Sequence, residues 1–129
     1  MPSVTWLDEP EEHDFPAAAD YLTLIAPVDV AAAIAAALRR TTTVHYKAKD
    51  ILRASRLALL AADNPHVAAD LKKINKGHAL SPILLVRGDL ATDRPMHVAD
   101  GYHRVCASYL VDENTDIPCR IADLSPNGD

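Results

Sequence analysis

The stretch MHVADGYHRVCASYL, residues 96–110, constrains this chain more than any other. Met96, His97 and Val98 read as a short strand and Asp100-Gly101 as a break. From Tyr102 onward the chain reads as a helix, with apolar Cys106, Tyr109 and Leu110 at helical spacing. A strand that turns sharply through Asp-Gly into a helix leaves backbone N–H groups without partners in the first turn. Those donors coincide with the positive end of the helix dipole and make a ready anion site. His103 and Arg104 fall in the same turn and add side-chain donors. The chemistry that fits is phosphate binding.

Each of these residues also has a plainer reading. Gly101 lets the backbone approach a phosphate closely, or it is a turn glycine with no ligand. Arg104 clamps a phosphate through two N–H groups, or it pairs with a nearby carboxylate such as Asp100. His103 contacts phosphate, or it is a helix-surface histidine. Asp100 holds a metal or accepts a substrate proton, or it caps the helix.

With 129 residues, 49% of them hydrophobic, the chain suffices for one domain with a real core. No apolar run approaches the roughly 20 residues of a membrane span. The opening MPSVTWLDEPEEHD is acidic and lacks the basic and apolar regions of a signal peptide. Cys106 and Cys119 are expected to be buried, reduced thiols, and the expected location is the cytoplasm.

The net charge of −5 conceals an asymmetry. No Lys or Arg precedes Arg39, whereas seven acids do, leaving 11 of the 18 acids to face all 13 basic residues over the rest of the chain. From Lys47 to Lys76 the balance turns positive through Lys47, Lys49, Arg53, Arg56, Lys72, Lys73 and Lys76, against Asp50, Asp63 and Asp70. A local basic patch suits a small anion, while the overall acidity argues against DNA as a partner. On a helix the lysines also read as a solvated face.

In order, residues 1–13 form an acidic arm anchored by Trp6. Asp14 offers a helix cap, with Ala18, Tyr21, Leu22 and Ile25 at helical spacing up to Pro27. A second helix runs to about Arg40 with Val30, Ile34 and Leu38 as its stripe. A strand through Val44 and Tyr46 leads to a helical turn at residues 50–53. Asn64-Pro65 starts a helix that buries Val67, Leu71 and Ile74 and closes at Gly77. ILLVR, residues 83–87, reads as a buried strand in a hairpin with residues 96–98. Ile117, Cys119 and Ile121 mark a last strand, placed at an edge because of Pro118. The tail SPNGD is expected to fray. The six histidines lack metal-ligand spacing.

The segments NPHVAADLKKINKGHALSPILLV, ADGYHRVCASYL and DIPCRI, with the order of elements over residues 43–124, resemble the N-terminal domain of ParB partition proteins and the related sulfiredoxins. The resemblance implies an α+β fold, a small mixed sheet with packed helices over residues 43–129, preceded by the acidic arm and helical pair of residues 1–42. It further implies a nucleotide (ATP, ADP or CTP, with Mg²⁺) whose phosphates meet Gly101, Tyr102, His103 and Arg104. Lys47, Lys49 and Arg53 would approach the same phosphates from the basic turn, with Asp100 or Asp50 as catalytic base. Tyr102 stands where sulfiredoxins carry their catalytic cysteine, and Val67 where they carry a lysine, so that activity is not expected. A small-molecule kinase or nucleotide hydrolase is the nearest enzymatic reading. The alternative is a non-catalytic regulatory or partner-binding module, self-associating through the N-terminal helices; a nuclease comes third, because of the charge.

Overall fold

A computed structural model describes residues 2–124. The expected fraying of residues 125–129 lies outside the described residues. The elements run α1 (Asp14–Leu22), α2 (Val28–Arg40), β1 (Val44–Lys47), α3 (Ala48–Ser55), α4 (Pro65–Asn75), β2 (Ile83–Val86), β3 (His97–Asp100), α5 (Tyr102–Val111) and β4 (Asp116–Ala122). The architecture is α+β, with a four-stranded mixed sheet in the order β1-β4-β2-β3. β4 is antiparallel to β1 and parallel to β2, and β2 is antiparallel to β3.

The run ILLV explains the layering. Four consecutive apolar residues suit a strand covered on both faces, and β2 is fully buried. Ile83 and Leu85 join Val98, Ile117 and Cys119 in a core closed by α3, α4 and α5. Leu84 and Val86 join Ala99 and Ala122 in a second core closed by Phe15, Ala18 and Leu22 of α1 and by Ile34 and Leu38 of α2. The N-terminal helical pair is thus the second covering layer of the sheet. Each such large apolar side chain contributes roughly 1.5–3 kcal/mol on burial.

α4 starts as its sequence indicates. The Asn64 side chain accepts from the N–H groups of His66 and Val67 at 3.0 and 3.2 Å, and Pro65 occupies the first turn. At the other end Gly77, with φ +73°, donates to Ile74 O at 3.0 Å. The arm is held more firmly than Trp6 alone would hold it: Leu7 N donates to Leu80 O and Leu80 N to Thr5 O, both at 2.8 Å.

Four local expectations are corrected. β4 lies between β1 and β2, not at an edge. Pro118 lies opposite His45 within the ladder to β1, one residue before pairing with β2 begins at Cys119, and withholds only a single N–H. The turn expected at residues 50–53 is a full helix, α3, burying Ala48, Ile51, Leu52 and Ser55 on one face. α5 buries Val105, Cys106, Ala107 and Ser108 and leaves Leu110 exposed. Asp14 lies inside α1, not at its cap, and is buried, whereas Ile25 lies past the end of α1.

Among the described residues no helix is long and apolar enough to cross a membrane. Cys106 and Cys119 are both buried and free. Burial raises both thiols, Cys119 to about 12, so neither is a nucleophile at neutral pH.

Candidate functional site

The turn between β3 and α5 is built as its sequence suggests. Gly101 takes φ +107° at the N-terminal cap of α5, and no side chain caps the helix. A Cβ added there would stand 2.4 Å from Ile83 Cδ1 and 2.7 Å from Arg104 Nη2. Glycine is therefore required by the packing of α5 itself, and the space over its Cα holds the Arg104 guanidinium. The first-turn N–H groups of α5 remain as donors.

Arg104 is already engaged. Its Nη2 donates to Asp100 Oδ2 at 2.7 Å, and its Nη1 lies 3.9 Å from Asp14 Oδ1. Its Nε is buried without a partner. Asp14 in turn accepts from the Ser81 hydroxyl and from Glu11 N, the latter at 3.2 Å. This network ties α1, the approach to β2, the end of β3 and the start of α5 together. Burial raises the pKa of Asp100 from its ordinary value, with Arg104 only partly offsetting it and the nearby Asp14 adding to it.

Beside this network a cleft of about 430 Å³ opens between α4 and the start of α5. His66, Asp70 and Lys73 line it at i, i+4 and i+7 of α4, so one helix face supplies all three. From α5 come His103 and Arg104, and from the β2 approach Leu80 and Ser81. The His66 and His103 rings sit 4.7 Å apart. Burial, then His66, lowers the pKa of His103, with Asp70 opposing, so its imidazole is largely neutral at pH 7. Burial also raises the pKa of Asp70, against the pull of Lys73 and Arg104. Among the described residues Lys73 has no ion pair and stays exposed on the cleft wall. The cleft thus offers first-turn amides, an imidazole that can donate and one uncommitted ammonium, together with the carboxylates of Glu11, Asp70 and Asp100, of which burial raises the pKa of the last two.

Of the residues expected at the site, Asp100, Gly101, His103 and Arg104 border this cleft. Tyr102 does not: its hydroxyl donates to Ala58 O, fastening the loop after α3. Lys47, Lys49, Asp50 and Arg53 are not brought to Gly101. Ala48 N and Lys49 N donate to Thr115 O and Glu113 O, both at 3.0 Å, in the loop that follows α5. The basic turn therefore starts at the C-terminal end of α5, ~15 Å along that helix from Gly101. Asp50 and Arg53 border a separate cavity and pair with each other at 3.8 Å.

Sequence reasoning missed Asp14, Ser81, His66, Asp70 and Lys73. The spacing of 66, 70 and 73 was a readable signal, since it places three polar groups on one helix face. Asp14 and Ser81 are 67 positions apart, and no local pattern joins them. Among the described residues no group of three His, Cys, Asp or Glu side chains is placed to hold a metal ion.

Comparison with models of protein families, with curated proteins and with solved structures finds no match.

Proposed function

We propose that the cleft between α4 and α5 binds the phosphates of a nucleotide, ATP, ADP or CTP, in a cytoplasmic protein of the ParB/sulfiredoxin kind. The observation that carries this reading is the uncapped first turn of α5 facing Lys73 across the cleft. Backbone amides at a helix start and one free ammonium are complementary to a phosphate chain. The family resemblance supports it, because the segments that carry it, around Leu80-Ser81 and Asp100–Arg104, border this same cleft. The second source of positive charge is then Lys73, with His103 and His66 as further donors, in place of residues 47–53.

For a kinase or hydrolase reaction the carboxylate suited to take a proton is Asp70, which borders the cleft and whose pKa is raised. Asp100 is bound by Arg104, and Asp50 borders the other cavity. Mg²⁺ arriving with a nucleotide is held mainly by phosphate oxygens and one or two carboxylates. With Asp70 reserved as the base, the ion would be held by the phosphate oxygens, whose charge it would neutralise.

Calorimetric titration with ATP, ADP and CTP, with adenosine as the phosphate-free control, tests the reading. We expect saturable binding of at least one nucleotide below millimolar concentration and none of adenosine; silence from all three nucleotides rules it out.

A non-catalytic partner-binding module is the second reading, favoured by one observation. Leu24, Ile25 and Val28 are 80%, 50% and 72% exposed at the turn joining α1 and α2, a patch suited to contact with another chain, including a second copy. Light scattering on wild type and Leu24→Glu decides it: a larger wild-type species that the variant disperses supports it, and two identical monomers remove self-association.

A further inference from the structure

We propose that the chain carries a second ligand site, remote from the α4–α5 cleft, for a small monocarboxylate with an apolar body. The cavity lies at the carboxyl ends of the parallel pair β2 and β4, between α3 and the loop joining β2 to β3. It measures about 610 Å³, within the range of small-molecule sites, and shares no lining residue with the other cleft. The crevice beyond the carboxyl ends of parallel strands is where open α/β sheets commonly receive ligands.

Its chemistry is set by what remains unpaired. Tyr46, Ile51, Leu85, Met96 and Ile121 give it an apolar interior. Four arginines border it, and three are matched. Arg53 pairs with Asp50 at 3.8 Å, Arg56 with Asp93, and Arg87 with Asp123 at 2.9 Å. The remaining acid of the lining, Asp89, is engaged within its own loop, accepting from Ala91 N at 3.1 Å and from the Thr92 hydroxyl at 3.0 Å. Arg94 alone of the four has no acid partner among the described residues, and its Nε is buried without any hydrogen-bond partner.

The Arg94 side chain makes no hydrogen bond or ion pair among the described residues, so a ligand carboxylate can meet the terminal nitrogens of its guanidinium without displacing a partner. Asp89, opposite Arg94 in the loop, also lacks a cationic partner, so the rim is balanced overall; it tolerates at most one further negative charge set against the Arg94 guanidinium and disfavours a dianion such as a phosphate monoester.

The walls are preformed. Met96 N donates to Ala54 O at 3.1 Å, joining β3 to the end of α3. Asp89 and Arg94 exchange backbone bonds at 2.8 and 2.9 Å, closing the loop. A Cβ on Gly88 would stand 2.4 Å from Arg94 O, so the strand end and Arg94 are in direct backbone contact.

The test uses the full chain and octanoate as probe, with octanol lacking the charge and acetate lacking the apolar body. Octanoate is expected to bind saturably and more tightly than either control. In ¹H–¹⁵N spectra of the wild type its largest shifts should fall at Leu85, Met96 and Ile121. Arg94→Gln should weaken octanoate about tenfold, as expected for one lost charge-assisted hydrogen bond. Arg94→Lys should retain part of that affinity, and Lys72→Ala, an exposed position on α4 that borders neither cavity, should leave it unchanged. Equal binding of octanol and octanoate, shifts centred on residues 101–104, or undiminished affinity in Arg94→Gln would each overturn the proposal. The wild-type shift map needs no variant, so misfolding of Arg94→Gln does not shelter the idea.

Discussion

The two cavities of this protein are both rimmed by charge, yet the charge is organised in opposite ways. At the α4–α5 cleft the arginine is held by Asp100 and Asp14, and the groups left available are backbone amides, histidines and Lys73. At the cavity beyond β2 and β4 the outer arginines are held and a half-buried one, Arg94, is left over. Proximity of an arginine to a cavity therefore does not identify it as the ligand's grip. Subtracting the pairs already formed separates the two: Arg104 is committed to Asp100 and Asp14, and Arg94 is the arginine we propose as a grip.

Replacing Arg104 probes the first half of that contrast most severely. Arg104→Ala strips the cation from two carboxylates that are 19% and 3% exposed. Loss of one partner from a buried ion pair costs about 3–5 kcal/mol. Urea unfolding should show a loss of that order at pH 7; an unchanged midpoint would mean that Arg104 is a ligand grip after all.

Gly101→Ala comes next. It forces a side chain into φ +107° and into contact with Ile83 and the Arg104 guanidinium, at a cost of about 1–3 kcal/mol for the backbone alone. Thermal unfolding measures it. A neutral outcome would detach the glycine from the packing of α5.

Asp70→Asn separates the carboxylate of the cleft from those of the network, with a smaller effect of opposite sign. The folded-state pKa of Asp70 lies above its ordinary value, so the native state binds the extra proton between pH 3.8 and that raised pKa. Any stability advantage is complete below the unfolded pKa and is lost as pH rises through the folded one. At pH 7 the ionised, partly buried carboxylate is therefore a burden. The substitution should stabilise the protein by less than ~1 kcal/mol once solvent screening is allowed for, and its benefit should fade at pH values below 3.8. Paired melts at pH 7 and pH 3 decide it; destabilisation at pH 7 would contradict the sign.

How much of this was legible in the sequence divides along the same line. Signals within a few residues were readable: the Asn64-Pro65 cap, the Gly77 terminus, the doubly buried ILLV and the Asp-Gly turn into α5 all depend on near neighbours. Two further local signals were present and underread. Ala48, Ile51, Leu52 and Ser55 fall on one face of a full helix, and His66, Asp70 and Lys73 on one face of α4. Partners distant in sequence could not be read. Asp14 reaches Ser81 and Arg104 only because α1 folds onto the sheet, and the basic turn starts at the far end of α5 because Ala48 and Lys49 bond the loop after that helix. Pro118 misled because a proline withholds only its own N–H: it lies opposite His45 in the ladder to β1, one residue before the parallel ladder to β2 starts.

The claim at the centre is that phosphate is held by the first-turn amides of α5 with Lys73, and not by residues 47–53. Amide chemical shifts during titration with ATP test it most directly, in wild type and in Lys73→Ala, an exposed-site change expected to alter stability by no more than about 0.5 kcal/mol. We expect the largest shifts at Tyr102, His103 and Arg104, and about tenfold weaker binding in the variant, the equivalent of roughly 1.4 kcal/mol. Shifts centred on Lys47, Lys49 and Arg53, or identical affinities in the two proteins, would contradict it.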